Sequence, residues 1–371
     1  MVVAGEASGD LHGGNLAAEI LKLRPDVELS GIGGRMMREA GVNTLVDASN
    51  LAVVGIWEVL AHFKVIKEAF DTMKAVLHDD PPDLIVLIDY PDFNLRLAKV
   101  ARDAGVPVVY YISPQVWAWR RGRIKTMAKL VGKMLVAFPF EEGIYREAGI
   151  DCRFVGHPLL DAMVESPGRE ALSVRFGLDP GRPVLGILPG SRRKELAFHL
   201  PVMLKAYRQL KEKMPELQGV IPVADTLTLD DFRPYMEGYD DVVLVERDTP
   251  GVMALMDTAV VASGTATLQT ALYKKPMVII YRLSPITYHI GRMLIKVKYI
   301  GIVNLIADEE VVPELIQDKA TPENITSLIF KMFCDKAYYT GIVDELDGVR
   351  VKLGGPGASA RAAKEVVGLI G

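Results

Sequence analysis

Short apolar runs alternate with amphipathic stretches along nearly the whole chain. Val2–Ala4, Pro82–Ile88, Val108–Tyr111, Met134–Phe138, Pro183–Leu188, Ala259–Ala262 and Pro276–Arg282 are near-continuous apolar segments bounded by turn residues. That is the pattern of strands covered on both faces. Between them apolar residues recur at helical spacing, as in Leu16, Ile20 and Leu23, or Leu196, Leu200, Met203, Leu204, Tyr207 and Leu210. Strands alternating with helices predict an α/β fold with parallel sheets. The rhythm pauses over Glu165–Pro183, which is rich in Gly and Pro. This predicts an N-terminal domain over 1–165 and a second over 166–340. A terminal helical segment, 341–371, is expected to pack back toward the N-terminal domain, with Gly354-Gly355-Pro356-Gly357 breaking the chain before its last helix.

Composition adds few constraints. At 371 residues the chain exceeds one comfortable core, which agrees with two domains. A net charge of −4 argues against a general nucleic-acid binder. Cys152 and Cys334 are far apart and without metal-ligand spacing, as in a reducing compartment. Met1-Val2-Val3-Ala4 runs straight into Gly5, so no signal peptide is expected, and no apolar run reaches the roughly 18 residues of a transmembrane helix.

The candidate chemistry sits in the turns that follow strands. Leu188-Pro189-Gly190-Ser191-Arg192-Arg193-Lys194 joins a strand to a helix through Gly-Ser. Free amides and the positive dipole end there suit a phosphate or diphosphate, and three cations at a helix N-terminus call for an anionic partner. The alternative is an ordinary turn in which Ser191 caps the helix. Ser263-Gly264-Thr265 is a second turn of this kind. Gly5-Glu6-Ala7-Ser8-Gly9-Asp10 is a third, without basic residues, in which Ser8 or Asp10 can cap the following helix. Neither P-loop nor dinucleotide fingerprint is present. Asp89 sits at the carboxyl end of the strand predicted over Pro82–Ile88, where open α/β sheets place ligands. It is a cap or a general base; Asp92 reads as the better cap, which leaves Asp89 for chemistry.

Two stretches combine aromatic and basic residues. In Leu51–Phe70, Val54, Trp57 and Phe63 lie near Lys64 and Lys67, which fits a core helix or one dipping into a bilayer surface. Trp117 and Trp119, followed by Arg120, Arg121 and Arg123, suit stacking on nucleic acid, a phospholipid-like ligand or phosphorylated sugar, or simple core packing. A further basic stretch runs through Arg292, Lys296 and Lys298.

Glu6-Ala7-Ser8-Gly9-Asp10, Ile88-Asp89-Tyr90-Pro91-Asp92-Phe93-Asn94, Ser113-Pro114-Gln115-Val116-Trp117-Ala118-Trp119, Phe154-Val155-Gly156-His157-Pro158, Leu188-Pro189-Gly190-Ser191-Arg192 and Ser263-Gly264-Thr265-Ala266 occur in one order. In that order and approximate spacing the chain resembles the lipid-A-disaccharide synthase family over nearly its full length. The resemblance implies a GT-B fold, two Rossmann-like domains with parallel sheets facing a central cleft, the first for the acceptor and the second for the UDP-sugar donor. It implies an inverting transfer from UDP-2,3-diacylglucosamine to 2,3-diacylglucosamine 1-phosphate, giving a β-1,6 disaccharide and UDP in lipid A biosynthesis. No metal or other cofactor is implied. The setting implied is the cytoplasmic face of the inner membrane, with peripheral attachment, and homodimers with exchanged C-terminal elements occur in the family. Nucleic acid is not an expected partner.

Carried onto this chain, Asp89 is the expected base and Arg192 the expected partner of the leaving diphosphate. Substrate contacts are expected from Glu6, Ser8, Gly9, Asp10, Ser113, Trp117, Trp119, Gly190, Ser191, Ser263, Gly264, Thr265, Gln269 and Asn304, with Val54, Trp57 and Phe63 facing the membrane. Gln269 stands where relatives often carry a ribose-binding Glu, so a charge-assisted bond is lost. On the residues alone, another UDP-sugar transferase or epimerase, or a non-catalytic binding protein, remains open.

Overall fold

The computed structural model describes residues 1–48, 51, 56–116, 122–163, 166–284, 288 and 298–370, with the side chains of 7 and 56–63 left aside. The chain divides into two compact units, Met1–Ala162 with Leu353–Gly371, and Met163–Lys352.

The first unit is built on seven parallel strands: β1 (Val2–Ala4), β2 (Ser30–Gly33), β3 (Asn43–Asp47), β4 (Ile85–Ile88), β5 (Val108–Tyr111), β6 (Lys133–Val136) and β7 (Asp151–Phe154). Their order is β3-β2-β1-β4-β5-β6-β7. Alternation along each strand divides the core in two. Val3, Ile85, Leu87 and Tyr110 pack with Ala69, Met73, Phe93 and Leu97 on one face. Val2, Ala4, Val86, Ile88 and Tyr111 pack with Leu16, Ile20, Ala362 and Val366 on the other. Both faces are covered by helices, which is why β4 and β5 are buried at every position.

The terminal helix Ala358–Val367 belongs to this unit through specific bonds. Its N-terminal amides at Gly357, Ala358 and Ser359 donate to the Asp161 carboxylate, and Arg361 donates Nε to the Val155 carbonyl. Glu365 pairs with Lys133 and Arg153. The return to the first unit begins at Leu353, later than the expected 341, because the helix Lys336–Lys352 buries Ile342, Leu346 and Val349 in the second unit.

The second unit has six parallel strands: β8 (Val184–Leu188), β9 (Gln218–Val223), β10 (Val242–Glu246), β11 (Thr258–Ala262), β12 (Met277–Tyr281) and β13 (Glu314–Ile316). Their order is β10-β9-β8-β11-β12-β13. In each sheet the chain winds outward from a central strand to one side and then to the other. The reversal falls between β1 and β4 in the first sheet and between β8 and β11 in the second. Crevices at the carboxyl ends of such strand pairs are the standard ligand positions of open α/β sheets.

Candidate active site

The three turns singled out in the sequence flank these reversals directly after β1, β8 and β11, and Asp89 directly follows β4. In the first unit, Glu6 is exposed in extended conformation immediately before the helix Ala7–Leu23, and Ser8 is exposed in that helix's first turn. Gly5 lies against Tyr90: a Cβ there would come within 2.3 Å of the Tyr90 ring, so only glycine lets the two turns approach.

Asp89 and Tyr90 both adopt left-handed backbone, with φ of 44° and 45°. For two consecutive residues with side chains this costs roughly 1–3 kcal/mol each. Asn94 donates Nδ2 to the carbonyls of Ile88 and Asp89, and the Tyr110 hydroxyl donates to the Asp89 carbonyl. Asp89 is half-buried. Burial first, and the neighbouring Glu6 carboxylate second, raise its pKa to about 6, while the Tyr90 amide pulls the other way. A carboxylate so tuned is mostly ionised near neutrality yet basic enough to accept a proton.

Several expected contacts in this unit have structural duties instead. The Asp10 carboxylate is buried and accepts amides of Gly34, Met36 and Met37, so it caps the helix Arg35–Glu39 and is not available to a ligand. Neither Ser8 nor Asp10 caps its own helix; Glu6 holds the cap position, with no side-chain cap bond among the described residues. Gly9 is buried against Ala4, which suits close helix–strand packing. The buried Ser113 hydroxyl donates to Glu141 at 2.6 Å, and Glu141 in turn accepts the Phe138 amide. Asp92 lies exposed in the first turn of the helix Pro91–Asp103 and pairs with Arg123, leaving the cap position to Tyr90. Val54, Trp117 and Trp119, the side chains of Trp57 and Phe63, and the Arg292 and Lys296 stretch lie outside the described residues.

In the second unit, the turn after β8 carries Gly190 at φ 115°, where a Cβ would meet the Glu195 carboxylate at 2.3 Å. The amides of Ser191 and Arg192, expected to be free, donate to Glu195 Oε2 at 2.8 and 3.2 Å. The helix Arg193–Lys213 thus fills its own anion-attracting nest with a carboxylate from its first turn. Both amides are engaged in this state, so an anion seated on them must displace Glu195. Of the three cations, Arg193 pairs with Asp231 at 2.7 Å, Arg192 is exposed and only 3.5 Å from Glu195, and Lys194 is exposed. His199, missed at sequence level because a lone His carries no signal, sits buried beneath this turn. Its Nδ1 is 3.0 Å from the Pro189 carbonyl, and its Nε2 accepts the Arg282 amide at 3.0 Å.

The turn after β11 places Gly264 and Thr265 in the open, with Ser263 half-buried. Among the described residues the helix Thr265–Leu272 has no side-chain cap, and of its first-turn amides that of Thr267 donates to the Gly264 carbonyl. Ser263 Oγ donates to the Ile300 carbonyl at 3.2 Å and so ties this turn to the loop before Asn304. Gln269 is half-buried one turn into the helix. Asn304 is a correction: it is fully buried, its amide donates to Val312 and Glu314, and its oxygen accepts Val311 and Val312. With every polar atom engaged, its side chain braces the loop and does not reach a nucleotide.

Among the described residues no helix is long and apolar enough to cross a membrane. The model of the family described as lipid-A-disaccharide synthetase matches residues 1–340. The chain is 51% identical over 372 residues to a lipid-A-disaccharide synthase of Geobacter sulfurreducens, covering all of this chain and 97% of the relative. It is 42% identical to one of Coxiella burnetii, covering 100% and 98%. Among solved structures, the UDP-GlcNAc 2-epimerase of Neisseria meningitidis bound to UDP-GlcNAc superposes with a TM-score of 0.66 at 13% identity, over 99% of both chains. The calicheamicin glycosyltransferase CalG4 does so with a TM-score of 0.60 at 16% identity, over 100% and 96%. At such identities these two establish the shared fold, two parallel α/β sheets of the GT-B kind.

Proposed function

The chain belongs to the lipid-A-disaccharide synthase family, enzymes of lipid A biosynthesis that work by glycosyl transfer, and on that premise we propose the following chemistry for its two strand-reversal sites. The donor is UDP-2,3-diacylglucosamine and the acceptor 2,3-diacylglucosamine 1-phosphate. Asp89 accepts the proton of the acceptor's 6-hydroxyl as that oxygen attacks the anomeric carbon from the face opposite UDP, so the configuration inverts. The C–O bond to the diphosphate breaks as the new glycosidic bond forms, and UDP departs with the bonding pair.

The observation that carries the reading is Asp89 itself: a carboxylate raised to about 6, in a strained turn at the reversal point of its sheet, beside Glu6. On the donor side, Arg192 and the first-turn amides of the helix Arg193–Lys213 meet the charge that develops on the departing diphosphate. Ser263, Gly264 and Thr265 offer amides and hydroxyls to the nucleotide, with Gln269 taking hydroxyls of the ribose. Glu6 and Ser8 contact the acceptor sugar. Because both substrates carry acyl chains, the Leu51–Phe70 stretch and the tryptophan loop are proposed as surfaces that dock at the cytoplasmic face of the inner membrane.

The test is an assay of the purified protein with UDP-2,3-diacylglucosamine and 2,3-diacylglucosamine 1-phosphate. A β-1,6 disaccharide 1-phosphate and stoichiometric UDP are expected. Release of UDP without disaccharide, or equal turnover of non-acylated sugars, would remove the assignment of substrates.

A further inference from the structure

We propose that Tyr110 and Asn94 are positioning residues for Asp89, holding the left-handed Asp89–Tyr90 turn in the one orientation that presents the carboxylate at the carboxyl end of β4. The inference rests on the reading of Asp89 as the proton acceptor and goes beyond it to the groups that set its direction.

The geometry is a clamp on two peptide planes. Asn94 Nδ2 donates to the Ile88 carbonyl at 3.1 Å and to the Asp89 carbonyl at 2.8 Å. Those carbonyls belong to the peptide planes before and after the Asp89 Cα, so one amide fixes both, and with them the Cα–Cβ direction. The Tyr110 hydroxyl, arriving from β5, donates to the Asp89 carbonyl at 2.5 Å from a second direction. Tyr90 in turn accepts the Asn94 backbone amide at 3.0 Å, and its ring fits over Gly5.

Satisfying one carbonyl at the end of a strand needs a single donor, and water can supply it. Here two side chains from different elements converge on the same oxygen. Asn94 and Tyr110 are both fully buried, so neither touches substrate and any influence on the reaction passes through Asp89. Pro91 disfavours the right-handed region for Tyr90, which narrows the alternatives further. Left-handed pairs of this kind persist only where the surroundings over-determine them. Without the clamp, the turn relaxes toward ordinary backbone and swings the carboxylate. The titrating and charged groups that face this cluster are Glu6 near Asp89, Glu6 and Asp92 near Tyr90, and Asp89, Tyr145 and Arg123 near Tyr110.

The experiment compares Tyr110→Phe, Asn94→Ala, Asp89→Asn and the double variant Asp89→Asn/Tyr110→Phe in steady-state assays with both lipid substrates across pH. Tyr110→Phe removes one hydroxyl from a buried ring and stands in if Asn94→Ala does not fold. The expected result is kcat lowered roughly ten- to hundredfold with KM for both substrates within about twofold. The acidic limb of the profile moves toward the usual carboxylate range as water reaches Asp89. In the Asp89→Asn background Tyr110→Phe has no further effect, because the group it positions is gone. Wild-type turnover in Asp89→Asn overturns the base assignment beneath the proposal. An inactive Asp89→Asn with unimpaired Tyr110→Phe, or an equal loss from Tyr110→Phe in both backgrounds, overturns the positioning role alone.

Discussion

The imidazole of His199 joins the turn after β8 to the end of β12: Nε2 accepts the Arg282 amide while Nδ1 faces the Pro189 carbonyl, both at 3.0 Å. An accepting Nε2 requires the proton on Nδ1, which the Pro189 carbonyl receives, so the ring is neutral and of one tautomer. Burial lowers its pKa and keeps it so. His199 therefore fixes the height of the Gly190–Arg192 turn against the sheet.

Replacing His199 by Leu leaves the Arg282 amide and Pro189 carbonyl without partners and frees the turn. UDP binding is expected to weaken about tenfold, equivalent to roughly 1.4 kcal/mol. Calorimetric titration with UDP checks this, and an unchanged Kd would detach His199 from the proposed nucleotide site.

Asp89→Asn is expected to lower kcat by about 10² or more. The same change stabilises the fold, for a reason visible in the sign of the shift. A carboxyl whose folded pKa is near 6, against an unfolded 3.8, binds its proton more tightly when folded. Stability therefore declines as pH rises from 3.8 to 6 and stays lower above that. The ionised side chain costs about 3 kcal/mol at pH 7.5, which Asn removes. Urea midpoints at pH 7.5 should rise in the variant, with the gain vanishing near pH 4.

His12 is half-buried and His157 buried in the first unit, with pKa values lowered to about 4 and 3, mainly by desolvation. Below pH 6.5 the unfolded chain takes up protons that the folded one refuses, so stability falls as pH drops from 6.5 toward 4. Among the described residues His12 Nδ1 has no hydrogen-bond partner. His12→Leu should flatten the acid side of the stability profile by up to about 1.4 kcal/mol per pH unit, read from thermal melts between pH 7.5 and 5.

Asp161 receives the amides of Gly357, Ala358 and Ser359 at 2.6, 3.2 and 2.9 Å, capping the last helix from far along the chain. Asp161→Ala should cost about 1–2 kcal/mol and expose 354–357 to proteolysis. Faster cleavage there, with turnover retained, is the expected pattern; unaltered resistance would show that the Arg361 and Glu365 bonds suffice.

The linear order of residues determined much of this protein. Apolar runs and helical periodicity specified two α/β units, because strands covered on both faces must be apolar throughout, and Gly-Ser or Asp after such runs marked turns that fall at the strand reversals. Tertiary structure decided which polar groups in those turns are left for chemistry. Asp10, Ser113 and Asn304 look like ligand contacts in the chain, yet each is consumed by amides, carbonyls or carboxylates from elements distant in sequence or freshly turned back on it. Glu195 filling the Ser191–Arg192 nest, and Tyr110 and Asn94 meeting on the Asp89 carbonyl, were equally hidden. Periodicity records which face of an element is buried, whereas the partner of a buried polar atom depends on which elements the topology brings side by side.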